Sequence, residues 1–224
     1  MCSAVFFDSM IDHPDLLIRQ NIPNDMVRRF LIGLSMGLTA FFIINSSFGK
    51  KSGAHINPSV TIVQYRLGNI GKIDAVFYII FQFLGSVCGV FLISLIIPRL
   101  IAHPAIDYIV TKPYPHSLVI TFISEYIISF ILISVVLYSN TNKNLSKYTA
   151  WLVAFMITVF ITFEAPFSGM SMNPARTFGS AFVANQWEAF WLYCLAPPLG
   201  MISGELFITK ILKMDLKNVT LHND

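Results

Sequence analysis

A short motif that occurs twice constrains this chain more than any other feature of its sequence. The first copy reads Ser-Gly-Ala-His-Ile-Asn-Pro-Ser-Val over residues 52–60, and the second reads Ser-Gly-Met-Ser-Met-Asn-Pro-Ala-Arg over residues 168–176. Both copies share the frame Ser-Gly, three residues, Asn-Pro; they lie 116 positions apart, and long apolar runs surround each of them. Such a pair predicts an internal repeat within a membrane protein.

Each Asn-Pro pair predicts the start of a short helix. Proline suits the first helical position because it has no N–H to lose and its φ is already helical, and asparagine is a good N-cap. Helices over residues 58–66 and 174–184 would extend roughly 15 Å, about half of a ~30 Å hydrocarbon core, so neither can span it. Two such helices that enter from opposite faces would meet near the midplane, with their positive dipole ends and the amides of Asn57 and Asn173 directed at one place.

The composition agrees with a membrane protein of several spans. Hydrophobic residues make up 55% of the 224 residues and charged residues only 12%, and the mean hydropathy is +0.66, which exceeds what a soluble core requires. The 15 Lys and Arg residues lie mostly between the apolar runs, which argues against a nucleic-acid partner. Three cysteines form no even disulfide framework, and the scattered histidines lack metal-ligand spacing. We therefore expect no cofactor and no metal.

Five apolar runs are long enough to cross a bilayer, at residues 30–47, 73–97, 118–138, 148–163 and 187–211. Glycines four residues apart in the second and last runs predict close helix packing at nearly corresponding positions of the repeats; they are Gly85 with Gly89 and Gly200 with Gly204. If the C-terminus is cytosolic, nine Lys and Arg residues lie on the cytosolic side of the membrane and five on the outer side. Arg176, which lies in the second motif, is left out of this count. The positive-inside rule favours that orientation.

The first repeat lacks a counterpart of the apolar run 118–138 ahead of Arg28. The run from Cys2 to Phe7 is too short to span a membrane, and its acidic flank does not fit a signal peptide. We expect residues 2–9 to be the tail of a first spanning helix whose earlier part is absent, through a late start codon or through truncation. The favoured orientation also requires a segment that carries residues 10–26 across the membrane.

The two motifs resemble the paired Asn-Pro-Ala boxes of the aquaporins, the major intrinsic protein family. The first box is Asn57-Pro58-Ser59, where serine replaces alanine, and the second is Asn173-Pro174-Ala175, followed by Arg176; the resemblance covers about residues 27–211. It implies an all-α membrane protein, an aquaporin-like right-handed helical bundle with two inverted repeats and two re-entrant half-helices. The implied organisation is one channel domain over residues 1–211, with a truncated first repeat over 1–97, a second repeat over 117–211, and a cytosolic tail over 212–224.

The resemblance implies a passive channel, and not an enzyme, that conducts water and small neutral solutes while it excludes protons and ions. Irregular backbone before each box, at residues 53–56 and 169–172, is tolerated at membrane depth only where it faces protein or water, so its carbonyls would line the pore. In the family, the two asparagine amides orient a passing water, and the helix dipoles, about +0.5 charge each, repel cations. The family also implies a homotetramer in a plasma or bacterial inner membrane.

Counting from the boxes, the resemblance assigns the selectivity filter to Gly37, Ile161, Met170 and Arg176. An arginine inside a membrane costs roughly 2.5–3.5 kcal/mol on insertion scales, which indicates that Arg176 lines the pore. Strict water channels have an aromatic residue at the position of Gly37 and histidine at that of Ile161. A shift of one residue would put Met36 or Leu38 in place of Gly37.

Two further residues are assigned to the support of the loops. Glu125 lies within an apolar run, where a carboxylate is paired or functional. The resemblance implies that it accepts hydrogen bonds from the loop before the second box; a proton relay is the alternative. His55 is expected to orient its own loop, and gating by its protonation is the alternative. The first repeat has no counterpart of Glu125, so we expect the loop around His55 to lack that support.

Three other functions stay open on the sequence. A glycerol-facilitator-like channel would pass small neutral solutes through a wider filter. A secondary transporter also uses inverted repeats and broken helices, but it needs intramembrane acids, and Glu125 is the only candidate. A non-conducting, truncated paralogue would assemble in the membrane without an open pore.

Overall fold

The protein, analysed as a computed structural model, is helical across the residues that the structure describes, which are 1–113, 115 and 117–214. Its α-helices are α1 (Cys2–Asp12), α2 (Leu17–Asn21), α3 (Asp25–Asn45), α4 (Ser47–Ser52), α5 (Pro58–Arg66), α6 (Lys72–Ile96), α7 (Pro98–Ile101), α8 (Leu118–Thr141), α9 (Thr149–Phe163), α10 (Ala165–Ser168), α11 (Pro174–Ala184) and α12 (Phe190–Leu206). Two short 3₁₀ turns, Asp107–Ile109 and Ser146–Tyr148, and one π turn, Phe207–Ile211, complete the described elements. No strand occurs in these ranges, so the predicted all-α class is confirmed. Of the predicted tail over 212–224, residues 215–224 lie outside the described residues.

Five helical segments are long and apolar enough to cross a membrane, as the sequence predicts. They are Asp25–Asn45, Lys72–Ile96, Leu118–Thr141, Ser146–Phe163 and Phe190–Ile211. The first begins five residues before its apolar run, because Asn24 caps it by accepting hydrogen bonds from the N–H groups of Met26 and Val27. A capping side chain, and not hydropathy, therefore sets that boundary.

The two half-helices have the predicted bounds. Helix α5 has 9 residues and α11 has 11, so both are too short to span a bilayer. The side-chain oxygen of Asn57 accepts a hydrogen bond from Ser59 N at 2.9 Å, and that of Asn173 accepts one from Ala175 N at 3.0 Å. Proline follows each asparagine at the first helical position, so both starts arise from the same local rule.

Helix packing shows the internal repeat. Helix α3 packs along α9, and α8 packs along α12. Half-helix α5 of the first repeat lies against α12 of the second, and half-helix α11 of the second repeat lies against α6 of the first. Two repeats related by a two-fold axis exchange their half-helices in this way.

The predicted glycine contacts hold in the second repeat and only partly in the first. A Cβ atom at Gly200 would lie 2.3 Å from the carbonyl oxygen of Tyr126, and one at Gly204 would also meet α8. In the first repeat, Gly89 lies against the start of α1, where a Cβ would stand 3.2 Å from Cys2 N. The prediction of close packing was wrong for Gly85, because no described atom outside its own stretch of helix backbone lies within 4 Å of its Cβ position.

Helix α1 is 11 residues long and packs against α3 and α6. Its Val5 is fully buried in a cluster with Val90 and Ile109. At its other end, Asp12 accepts a hydrogen bond at 2.5 Å from Arg28 Nε, and the Arg28 side chain is only 4% exposed. These contacts hold α1 beside the start of α3 and the connection that follows α7.

Candidate pore and selectivity filter

Asn57 and Asn173 meet where the two half-helices begin. Nδ2 of Asn57 donates to the carbonyl oxygen of Met172 at 2.7 Å, and Nδ2 of Asn173 donates to the carbonyl oxygen of Ile56 at 2.9 Å. A primary amide carries two N–H hydrogens, and each contact uses one of them. The second hydrogen of each amide has no partner among the described residues and is therefore available to a passing molecule. Both amides also lie at positive helix ends.

The backbone before each box is irregular at matching positions. Gly53 and Gly169 correspond in the repeat and have φ values of 67° and 79°; Ala54 and Met170 correspond as well and have φ values of 52° and 48°. Left-handed backbone costs a residue other than glycine roughly 1–2 kcal/mol. The surrounding contacts must therefore hold these loops. At Gly169 a side chain is also excluded, since a Cβ would lie 2.8 Å from Thr111 Cγ2.

Side chains of α8 and α12 hold the second loop. Glu125 is fully buried; its Oε1 accepts hydrogen bonds from Ser171 N and from the Ser168 hydroxyl, each at 2.7 Å. Its Oε2 accepts one from Met172 N at 2.7 Å. The Tyr193 hydroxyl donates to the Ser168 carbonyl oxygen at 2.7 Å. Four hydrogen bonds thus fasten the segment that carries the Met172 carbonyl, the acceptor for Asn57.

The first loop is held differently, by α6. Nε2 of Gln82 donates to the carbonyl oxygen of His55 and, at 2.9 Å, to Thr61 Oγ1, and the Tyr78 hydroxyl donates to the Ser52 carbonyl oxygen at 3.1 Å. The expectation that this loop lacks support was therefore too strong, because neutral donors replace the carboxylate. The His55 ring packs against Tyr78, and its Nδ1 has no partner in the part of the chain that the structure describes.

Arg176 lies on the first turn of α11, and the connection between α7 and α8 holds its guanidinium. Nη1 donates to the carbonyl oxygen of Ile109 at 3.2 Å and to Thr111 Oγ1 at 2.6 Å. The charges of Asp8 and Glu125 attract it. Thr111 Oγ1 also lies 3.0 Å from Thr177 Oγ1. These contacts fix one side of the guanidinium, and the side chain keeps partial exposure.

The predicted filter residue Gly37 lies within a contact between two helices. A Cβ atom there would lie 2.4 Å from the carbonyl oxygen of Ala154, so this position faces α9 within the α3–α9 contact. The preceding residue, Met36, packs against the cluster that contains Ile109, whose carbonyl accepts from Arg176. We therefore propose Met36, one of the two alternatives that a shift of one residue offers, as the candidate for this position.

The remaining two candidates are apolar and close to helix contacts. Ile161 is partly exposed. If Gly33 of α3 carried a Cβ atom, that atom would lie 3.3 Å from the Cβ of Ile161. Met170 is 7% exposed and belongs to the largest hydrophobic cluster. The candidate filter thus combines three apolar side chains, at positions 36, 161 and 170, with one cation, Arg176.

Sequence reasoning missed the residues that hold these groups from distant elements. Gln82 and Thr111 contact backbone or side chains at the site, and Glu164 contacts the Ser168 hydroxyl. The sequence does mark Gln82 and Glu164, since Gln82 is a polar residue inside an apolar run and Glu164 lies at the end of one. Thr111 lies in a polar connection, where nothing in the sequence distinguishes it from its neighbours.

Comparison with known proteins identifies relatives over most of the chain. The family model described as Major intrinsic protein matches residues 5–207. Aquaporin NIP3-1 of Oryza sativa subsp. japonica is 35% identical over 170 residues, which cover 75% of this chain and 53% of that protein. Aquaporin-4 of Homo sapiens is 32% identical over 191 residues, which cover 83% of this chain and 57% of that protein. The chain spans about half the length of the curated relatives that it matches.

The fold also has a solved counterpart. The X-ray structure of the aquaglyceroporin from Plasmodium falciparum matches with a TM-score of 0.79 and covers 94% of this chain and 91% of that chain. The sequence identity in this match is 23%, so the likeness concerns the fold. The helical bundle with two half-helices that the sequence predicts is therefore confirmed.

Proposed function

The chain belongs to the major intrinsic protein family, and on that premise we propose that it forms a passive transmembrane channel for water and small neutral solutes that excludes protons and ions. The observation that carries the proposal is the reciprocal contact between Asn57 with Met172 and Asn173 with Ile56. It leaves one N–H of each amide directed to a permeant and puts two positive helix ends at the same place.

This arrangement supports selective passage of water. A water molecule that accepts hydrogen bonds from both asparagine amides has used both lone pairs, so its own hydrogens point away to its neighbours. It cannot accept a further proton from them, and a chain of proton transfers stops there. The helix ends and the Arg176 charge also repel cations, so two barriers act on ions at different depths.

The candidate filter supports a second permeant class, small neutral solutes such as glycerol. Met36, Ile161 and Met170 offer apolar contact, while Arg176 offers hydrogen-bond donors. A solute with a carbon backbone and hydroxyl groups matches both kinds of surface. The proposal therefore includes both water and such solutes as permeants. Measured fluxes of each would show which one the channel conducts faster.

The same proposal covers the setting of the channel. The protein is an integral membrane protein, and its Lys and Arg distribution supports a cytosolic C-terminus. In this orientation α9 ends, and the second loop begins, on the outer side. One channel domain over residues 1–211 and a homotetramer with one pore per subunit complete the proposal.

Stopped-flow light scattering on proteoliposomes tests the function. We expect osmotic water flux above that of empty vesicles, with a low activation energy and no dependence on an ion gradient, and slower but measurable uptake of glycerol. Electrical current carried by protons or metal cations would contradict the proposal, and a requirement for an ion gradient would indicate a carrier. Flux equal to that of empty vesicles, from protein that is monodisperse in detergent, would indicate a non-conducting paralogue.

A further inference from the structure

The Ser168 hydroxyl lies between two carboxyl groups. Its Oγ is 2.7 Å from Glu125 Oε1 and is also in hydrogen-bond contact with Glu164 Oε1. Met170 N donates to the same oxygen at 3.1 Å. Glu164 follows directly after the spanning segment that ends at Phe163, and its Oε2 is buried without a partner within the described ranges.

A proton count limits the charge of this cluster. A hydroxyl group has one hydrogen to donate and two lone pairs that accept. The Ser168 hydroxyl accepts from Met170 N–H and can donate to only one carboxylate. Its contact with the other carboxyl group is a hydrogen bond only if that group is protonated and donates. One of the two glutamates therefore carries a proton.

The proton belongs to Glu164. Both oxygens of Glu125 accept backbone N–H groups, from Ser171 and Met172, and such bonds favour an ionised carboxylate. No N–H group in the described structure donates to the carboxyl group of Glu164. Burial, followed by the nearby Glu125 carboxylate, raises the pKa of Glu164 to about 8.

We propose that protonated Glu164 is a second positioning residue for the loop before α11, since it donates to Ser168, which in turn donates to Glu125. This inference rests on the proposed channel function. Loss of the proton leaves two carboxylates against one hydroxyl, so one hydrogen bond is lost and the two charges repel each other. The loop that presents the Met172 carbonyl to Asn57 then shifts, and permeability falls at alkaline pH on the outer side.

No neighbouring charge replaces the proton. The charged and titratable groups that interact with Glu164, or with Tyr193 beside it, come from α8, α11, α12 and the segment before α12; they are Glu125, Arg176, Tyr193 and the exposed Glu188. Arg29 of α3 and Lys112 of the connection before α8 have other partners. Arg29 Nε donates to the Thr162 carbonyl oxygen at 3.1 Å, and Arg176 bonds to Ile109 and Thr111. Lys112 pairs with Asp107 at 2.5 Å. None of these cations donates to Glu164.

The sign of the pH effect follows from the direction of the shift. The folded-state pKa of Glu164 is raised, so its contribution is present when the carboxyl is protonated and is lost as pH rises through about 8. We expect osmotic permeability of wild-type proteoliposomes to fall about five-fold between about pH 6 and about pH 10. Glu164→Gln keeps an N–H donor for Ser168 but does not titrate, so this variant should keep its flux throughout.

Two further variants complete the flux experiment. Glu188→Gln makes the same chemical change at an exposed residue two positions before α12, and it should keep the wild-type pH profile. Glu164→Ala removes the donor and should lower flux at both pH values. The inference is overturned if Glu164→Gln loses flux at alkaline pH as wild type does, if wild type shows no loss, or if Glu164→Gln behaves like Glu164→Ala near neutral pH.

Infrared spectroscopy of the detergent-solubilised protein provides a readout that does not require conduction. We expect a carboxylic-acid C=O band near neutral pH that is weaker in Glu164→Gln than in wild type and unchanged in Glu188→Gln. Burial also raises the pKa of Asp8, to about 7, so this residue contributes to the band in all three proteins. A band of equal strength in Glu164→Gln and wild type would overturn the inference even if the channel conducts water. A weaker band in Glu164→Gln, from a protein without flux, would contradict the proposed channel and leave the proton assignment supported.

Discussion

At the scale of single residues, Asn57 and Asn173 use different atoms for different tasks. The side-chain oxygen of each caps its own half-helix, and the amide nitrogen bonds to the opposite loop. The capping oxygen accounts for the start of each half-helix, whereas the hydrogen bond donated by the amide nitrogen joins the two repeats. A substitution that separates the two tasks therefore tests the site without removing the helix start.

We expect Asn173→Asp to lower osmotic water permeability by about tenfold, which corresponds to roughly 1.4 kcal/mol. Aspartate keeps the oxygen that caps α11, but it has no N–H for the Ile56 carbonyl and places a negative charge beside it. Asn24→Asp is the matched control, because Asn24 caps α3 through its oxygen, and within the described ranges its side chain makes no hydrogen bond to the second repeat. Stopped-flow swelling and thermal stability in detergent check both variants. Wild-type flux in Asn173→Asp would contradict the role of the amide.

At the scale of elements, glycine positions decide how closely helices approach. Gly200 in α12 allows the backbone of α8 to come within contact distance, whereas Gly85, nearly equivalent in the repeat, faces open space. Both have the same sequence context, a glycine pair four residues apart in an apolar helix. Their difference arises from what lies opposite, which no local pattern contains.

Gly200→Ala should destabilise the protein by about 1–3 kcal/mol, because the added methyl group overlaps the Tyr126 carbonyl oxygen and forces α8 and α12 apart. Gly85→Ala adds the same group without a clash, and alanine is about 0.5–1 kcal/mol better than glycine inside a helix. Melting followed by size-exclusion chromatography in detergent compares the two. Equal melting temperatures would refute the assigned helix contact.

At the scale of the whole molecule, contacts between halves join the two repeats. Arg66, the last residue of half-helix α5, pairs through Nε with Glu205 Oε2 of α12 at 2.9 Å. The Glu205 side chain is 8% exposed and that of Arg66 is 39% exposed, so solvent screens only one partner well. This pair ties the end of the first half-helix to the last spanning helix.

Removing only the Arg66 cation should lower the stability of the protein more than removing both charges of the Arg66–Glu205 pair. We expect Arg66→Gln to lower stability by about 1–3 kcal/mol, since it leaves the Glu205 carboxylate buried without its partner, and Arg66→Gln with Glu205→Gln to lower it less. Arg19→Gln serves as the reference for a more exposed pair. Arg19 Nη1 lies 3.8 Å from Asp12 Oδ1, and both side chains are 33% exposed. Loss of this pair should lower stability by less than about 1 kcal/mol. A double variant less stable than Arg66→Gln would contradict this reading.

Sequence and structure agree where local rules suffice. The bounds of both half-helices follow from the asparagine cap and the proline at the first helical position, and the five spans follow from hydropathy. The count back from the first box gives Gly37, but a count along the chain cannot show that this position lies against α9. Sequence and structure disagree at Gly85, because packing depends on the opposite element.

The sequence by itself determined a membrane protein of two repeats with paired Asn-Pro half-helices, since capping, proline geometry and apolar run length act over a few residues. Only the tertiary structure decided that Gly37 lies against α9, that Gln82 holds the first loop and Thr111 holds Arg176, and that Ser168 lies between two carboxyl groups. Those contacts join atoms from separate helices, and their distances depend on how the whole bundle packs.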